Sequence, residues 1–172
     1  AASDVYKRQG YLMPKVSKIY LLRHAKPNIK NSTVPTKNCG IITPSDQTLS
    51  RLIQQLPVNS RLIHSPLKRA VETLACLTKL GLKSSSIEEN NSFSEQDLGF
   101  LEGTTYEDAW HNLSMLKPHN WAFFPANYRP EGGESFIQVT ERVVLSLNKV
   151  IRENDGRSIT IICHSGVIRS II

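Results

Sequence analysis

The chain switches between two hydrophobic periods, and the switches outline its elements. Residues 16–22 close on the apolar run Ile19-Tyr20-Leu21-Leu22, which reads as a buried strand delivering Arg23 and His24 to its carboxyl end. Residues 28–44 carry Asn, Ser, Thr, Pro and Gly without periodicity and read as one long loop, a length that in a compact domain usually serves function. A helix is predicted over residues 45–56, stopped by Pro57, and a short strand over 61–64. Ser65-Pro66 pairs a favourable N-cap with proline at a first helical position, so the next helix is predicted to run through Leu67, Val71, Leu74 and Leu77 to Gly81. Ile87 marks a third strand, residues 94–103 are irregular and acidic, and residues 105–116 form a weaker helix.

The second half repeats the scheme. Residues 121–130 are aromatic and proline-containing and read as a lid or pocket wall. Gly132-Gly133 precedes a long helix through Phe136, Val139, Val143, Leu147 and Val150, stopped near Gly156. Residues 158–163 form a strongly apolar strand that places His164 at its carboxyl end, and a helix begins behind it at Gly166. Helices between apolar strands predict a three-layer α/β/α sandwich with a largely parallel central sheet.

At 172 residues and 40% hydrophobic, the chain can close one core and has little material for a second. Residues 1–12 are read as a non-native leader, because Asp4-Val5-Tyr6-Lys7-Arg8-Gln9 resembles the translation of a transposon adapter and Met13 stands just before the first strand. Residues 13–172 are then expected to form one domain, truncated at its C-terminus within the helix after His164. No uncharged run long enough for a bilayer and no secretion signal are visible, so a cytoplasmic protein without a membrane partner is expected.

The three cysteines lie in no pair or zinc-ligand spacing, and Cys163 is expected to point away from its neighbour His164 because adjacent strand residues face opposite sides. The net charge of +6 raises the question of nucleic acid, but the basic residues are dispersed and no RNA-binding motif accompanies them. Small anions are the better-matched partners.

In open α/β sheets ligands bind beyond the carboxyl ends of the strands, where both His24 and His164 are predicted. Arg23 precedes one of them, and Arg69 starts the helix after the second strand. Guanidinium groups hold phosphate through paired donors, so two arginines and two histidines outline a phosphate pocket. Departure of an alkoxide needs a proton, and Glu95 lies in a segment able to reach the mouth of that pocket.

These residues carry a resemblance. Leu21-Leu22-Arg23-His24-Ala25 is similar to the Arg-His-Gly signature of the histidine phosphatase (phosphoglycerate-mutase-like) superfamily, and Ser65-Pro66-Leu67-Lys68-Arg69-Ala70-Val71-Glu72-Thr73 resembles its second arginine motif. Ser94-Glu95-Gln96-Asp97-Leu98-Gly99 with Leu101-Glu102-Gly103, then Gly132-Gly133-Glu134-Ser135, then Cys163-His164-Ser165-Gly166-Val167-Ile168, complete the family order. The resemblance implies a phosphomonoester hydrolase in which His24 attacks phosphorus, Arg23, Arg69 and His164 hold the phosphoryl oxygens, and Glu95 protonates the leaving oxygen and then activates water. It implies no metal and no cofactor.

The chain departs from the pattern at Ala25, at Lys26-Pro27 and at Lys30, where an asparagine is frequent; Asn28 is a candidate substitute, and His64 either touches the site or ends its strand. The Arg-His-x-Lys-Pro opening and the aromatic stretch before Gly-Gly-Glu-Ser look most like the α-ribazole phosphatase branch of cobalamin biosynthesis. A phosphohistidine-protein phosphatase and a catalytically inactive phosphate-binding module are the alternatives. The oligomeric state is not legible.

Overall fold

The computed structural model describes residues 17–29, 33–113 and 125–172. The leader at 1–12 and residues 121–124 of the expected aromatic wall lie outside the described residues.

Four strands form one all-parallel sheet: β1 (Ile19–Arg23), β2 (Ser60–His64), β3 (Ser84–Glu89) and β4 (Ile159–Cys163), in the order β1-β4-β2-β3. Among the described residues five α-helices connect and flank them: α1 (Asp46–Gln55), α2 (Lys68–Lys79), α3 (Tyr106–Leu113), α4 (Phe136–Glu153) and α5 (Ser165–Ile171).

Alternation along the central strands produces the layers. Ile63, Ile159, Ile161 and Cys163 point to one face and pack with Val139, Val143 and Val150 of α4 and Val167 of α5. Their neighbours Leu62 and Ile162 point to the other face and pack with Leu49 of α1 and Ala70, Leu74 and Leu77 of α2. A sheet coated on both sides is what continuous apolar strands require. The expected three-layer sandwich with a parallel sheet is therefore the observed fold.

Two helix starts show why local sequence decides some boundaries and tertiary contacts others. α4 begins at a capping box, in which the Ser135 side chain accepts from the Gln138 amide and the Gln138 side chain accepts from the Ser135 amide. α2 begins later than the Ser-Pro signal predicts, at Lys68, with Leu67 as N-cap and no side-chain cap. The Ser65 hydroxyl accepts from the Leu67 amide and lies 2.7 Å from His164 Nε2 across the sheet, so it does not cap the helix.

The strand ends form the floor on which the site is built. Past the last β1–β4 pair, Arg23 with Cys163, the ladder continues with the His24 amide donating to the Cys163 carbonyl at 3.0 Å. Likewise the Ser65 amide donates to the Ile162 carbonyl at 3.0 Å. His24, His164 and Ser65 are thus held in register by the sheet itself.

Candidate active site

The two histidines meet at the strand ends with ring centroids 5.0 Å apart and planes inclined at 51°. His24 is buried, and its Nδ1 lies 2.6 Å from the Ala25 carbonyl. A carbonyl oxygen only accepts, so Nδ1 carries the hydrogen and Nε2 keeps its lone pair. The turn that makes this bond is fixed by Thr73, whose hydroxyl accepts from the Ala25 amide at 2.9 Å and donates to the Arg69 carbonyl at 2.6 Å. Burial lowers the His24 pKa to about 4, against the Ala25 hydrogen bond, which raises it; Arg69 and Arg23 lower it further. The imidazole is neutral at physiological pH.

His164 is fully buried. Burial lowers its pKa to about 2, reinforced by Arg69, His24, Arg142 and Arg23. Its Nε2 lies 2.7 Å from the Ser65 hydroxyl, and its Nδ1 has no partner among the described residues.

A cavity of about 980 Å³ opens beside His24, lined by Arg23, Arg69, Glu95, Ser165 and Gly166 among others. Arg69, in the first turn of α2, is 4% exposed and donates from Nη1 to the Thr36 carbonyl at 3.0 Å, which ties the 33–43 loop to the cavity wall. Glu72, one turn on, accepts from the Ile41 amide at 2.8 Å and anchors the same loop. Arg23 is exposed at the rim.

Glu95 sits opposite, its Oε1 accepting from the Gly166 amide at 3.0 Å and the Gln96 amide at 3.2 Å, and its Oε2 from the Ser165 hydroxyl at 3.2 Å. A Cβ on Gly166 would displace the Glu95 carboxylate from its present place. The segment that carries Glu95 has no strand to hold it. Arg142 of α4 does so instead, donating to the Ser92 carbonyl at 2.7 Å and the Glu95 carbonyl at 3.3 Å while pairing with Glu134 at 2.5 Å. Glu134 in turn accepts from the Asp97 amide at 3.0 Å. Gly99 and Gly133 pack backbone to backbone, and a Cβ on Gly133 would lie 2.5 Å from the Asp97 carbonyl oxygen. The Gly-Gly-Glu-Ser motif is therefore a clamp on the acidic segment.

Of the residues singled out in the sequence, Arg23, His24, Arg69 and Glu95 line this one cavity, and His164 packs against His24 behind it. Asn28 and His64 do not line it: Asn28 is exposed in the loop, and His64 Nδ1 lies 2.9 Å from the Ser65 carbonyl. Cys163 faces the α4 core, and burial pushes its thiol up to about 12, which excludes it as a thiolate nucleophile. Sequence reasoning gave Ser65 only a helix cap and assigned no role to Thr73, Glu134 and Arg142. All but Arg142 lie in the motifs quoted above, so position was the available signal; Arg142 reads only as a polar residue on an amphipathic helix.

No group of three or more His, Cys, Asp or Glu side chains able to hold a metal occurs among the described residues. No helix among them is long and apolar enough to cross a membrane.

Residues 19–172 match the family model of the histidine phosphatase superfamily, branch 1. The chain belongs to this superfamily. Its sequence is 28% identical over 132 residues to phosphoglycerate mutase-like protein 4 of Arabidopsis thaliana, covering 73% of this chain and 55% of that protein. It is 28% identical over 111 residues to a metal-independent phosphoserine phosphatase of Arabidopsis thaliana, covering 62% and 44%. This histidine phosphatase superfamily chain spans about half the length of these curated relatives. Its fold is similar to that of an Escherichia coli protein provisionally described as an alpha-ribazole-5'-P phosphatase, with a TM-score of 0.69 at 18% identity over 89% of this chain and 76% of that one.

Proposed function

We propose that this chain hydrolyses small phosphate monoesters through a phosphohistidine at His24. The observation that carries this reading is the state of His24: buried, neutral, with Nδ1 spent on the Ala25 carbonyl and Nε2 free, beside Arg69 and Arg23.

In the first step the Nε2 lone pair forms a bond to phosphorus, the bond from phosphorus to the ester oxygen breaks, and that oxygen takes a proton from Glu95. Arg23, Arg69 and His164 bear the charge that spreads over the phosphoryl oxygens. In the second step the Glu95 carboxylate accepts a proton from water as the water oxygen attacks phosphorus, and the bond to Nε2 breaks. The nucleophile regains its lone pair and inorganic phosphate leaves. No step uses a metal or a cofactor.

The cavity is far larger than a phosphate ion, and its lining includes Ile29, Val34, Pro35, Leu98, Leu101 and Tyr106. That lining favours an ester with a sizeable, partly apolar leaving group. α-Ribazole phosphate, whose leaving group is a ribose bearing an aromatic base, fits this description, and we read its hydrolysis as a step of cobalamin biosynthesis in the cytoplasm. The test is a panel of esters assayed for phosphate release: α-ribazole phosphate, phosphoserine, 3-phosphoglycerate, nitrophenyl phosphate and a phosphohistidine peptide. The highest kcat/KM is expected on α-ribazole phosphate. A preference for the phosphohistidine peptide would replace this substrate, and binding of esters without turnover of any would make the chain an inactive phosphate-binding module.

A further inference from the structure

His164 and Ser65 are separated by 99 residues in sequence and meet at the ends of adjacent parallel strands. Both are fully buried, with relative exposures of 0%. Ser65 is pinned by its backbone: its amide donates to the Ile162 carbonyl at 3.0 Å and its carbonyl lies 2.9 Å from His64 Nδ1. Its hydroxyl accepts from the Leu67 amide at 3.2 Å and lies 2.7 Å from His164 Nε2.

Counting hydrogens separates the two possible arrangements. A neutral imidazole carries one ring hydrogen. If Nε2 carried it and donated to Ser65, the serine hydroxyl hydrogen would be buried with no other acceptor among the described residues, and Nδ1 would be a buried lone pair without a donor. If Ser65 donates to Nε2, the hydroxyl is satisfied on both sides and the single orphan is an Nδ1–H. Each buried unsatisfied group carries its full desolvation cost, so the arrangement with one orphan is favoured over the arrangement with two. The ring that carries this orphan packs against His24, with the two ring centroids 5.0 Å apart.

We propose that Ser65 is a positioning residue that fixes the tautomer of His164, so that a neutral His164 presents Nδ1–H to a phosphoryl oxygen held at His24. This rests on the phosphatase reading for the identity of the acceptor, but not for the tautomer. Burial and the surrounding arginines keep the ring neutral, so the tautomer decides whether His164 offers that oxygen a hydrogen or a repelling lone pair. The two histidines then carry matched tautomers set by different partners. The Ala25 carbonyl frees Nε2 of His24 to attack, and the Ser65 hydroxyl turns Nδ1 of His164 into a donor.

The test is side-chain nitrogen NMR on the ¹⁵N-labelled protein near pH 7, with the His164 signals assigned through a His164→Gln variant. The wild type should show His164 with a protonated Nδ1 and a bare Nε2, and added inorganic phosphate should shift the Nδ1 proton. Ser65→Ala should move His164 toward the Nε2–H form and slow phosphoenzyme formation in single-turnover assays by about 10–100-fold, what one hydrogen bond to a charged group is worth. Ser65→Thr, which keeps the hydroxyl, should restore both. An Nε2–H form in the wild type overturns the proposal, as does an unchanged tautomer in Ser65→Ala. If Ser65→Ala fails to fold, the wild-type spectrum and Ser65→Thr decide alone, since each must show Nδ1–H. An Nδ1–H form in a protein that turns over no phosphate ester overturns the phosphatase reading and leaves the tautomer assignment standing.

Discussion

The floor and the wall of the cavity are held by different physics. The floor, with His24, His164 and Ser65, continues three parallel strands whose side chains fill two apolar cores, and its backbone groups are paired within the sheet. The wall, with Glu95 and Asp97, is irregular chain fixed by polar contacts to Arg142, Glu134, Ser165 and Gly166 and by a glycine contact. Core packing sets the floor's positions as a by-product of folding, whereas the wall depends on a few polar contacts around Arg142. Groups that must stay fixed during bond making sit on the first, and the group that exchanges protons with substrate and water sits on the second.

The largest effect should come from the floor. His24→Ala should reduce turnover of every ester by about 10⁴-fold or more, as expected for removal of a nucleophile, while thermal unfolding shows that the sheet persists. Comparable turnover in this variant would break the assignment of the floor as the reacting surface. Next comes Glu95→Gln, which should slow phosphoenzyme formation from alkyl phosphates by about 10²–10⁴-fold. A nitrophenyl ester, whose leaving oxygen is weakly basic, should be affected far less. Equal losses on both esters would reduce Glu95 to a positioning role.

Arg142→Gln tests the wall more gently. It removes a guanidinium whose partners are the Ser92 and Glu95 carbonyls and Glu134. Stability should fall by about 1–3 kcal/mol, with kcat falling while KM stays nearly constant, because Glu95 loses its placement and the phosphate groups on the floor keep theirs. A rise in KM alone would mean that the wall binds substrate rather than delivering a proton.

Acid should act on the floor. His24 and His164 have folded pKa values of about 4 and about 2, below the ordinary 6.5, so the unfolded chain binds more protons between those limits. Their contribution to stability is present above about pH 6.5 and is lost progressively as pH falls toward the folded values. The acid limb of kcat/KM assigned to His24 should lie near pH 4 rather than 6.5, and a limb near 6.5 would show that His24 is not desolvated in the free enzyme. The smallest effect belongs to the exposed pair between Lys37 and Asp97, 2.6 Å apart with the lysine side chain 57% exposed. Lys37→Ala should change unfolding free energy by about 0–1 kcal/mol.

The same contrast explains what was legible in the sequence. Two of the three floor strands, β1 and β4, appear as apolar runs, and each is followed by a histidine, so the apolar pattern with the rule that ligands bind beyond strand carboxyl ends places His24 and His164 at one edge of the sheet. Arg69 follows because the helix after β2 starts at the same end of the sheet. Ser65 read as a helix cap, since local propensity has no access to a histidine 99 residues away; the partner across the sheet competes for the same hydroxyl. Arg142 lies mid-way along α4, where an arginine on an amphipathic helix ordinarily faces solvent, and only the fold brings it to the carbonyls of Ser92 and Glu95. Strand ends are written in hydrophobic pattern, and polar clamps between irregular segments are not. Burial, rather than the neighbouring arginines alone, is the main depressor of the His24 pKa, a cause that depends on packing.

The central claim is that the neutral Nε2 of His24 becomes bonded to phosphorus. Rapid quenching of the enzyme after mixing with a ³²P-labelled phosphate ester, followed by peptide mapping, reads this directly. The account predicts an acid-labile, base-stable label on the peptide containing His24, formed at least as fast as turnover and absent from His24→Ala. Label on another residue, or label that persists in His24→Ala, would contradict it.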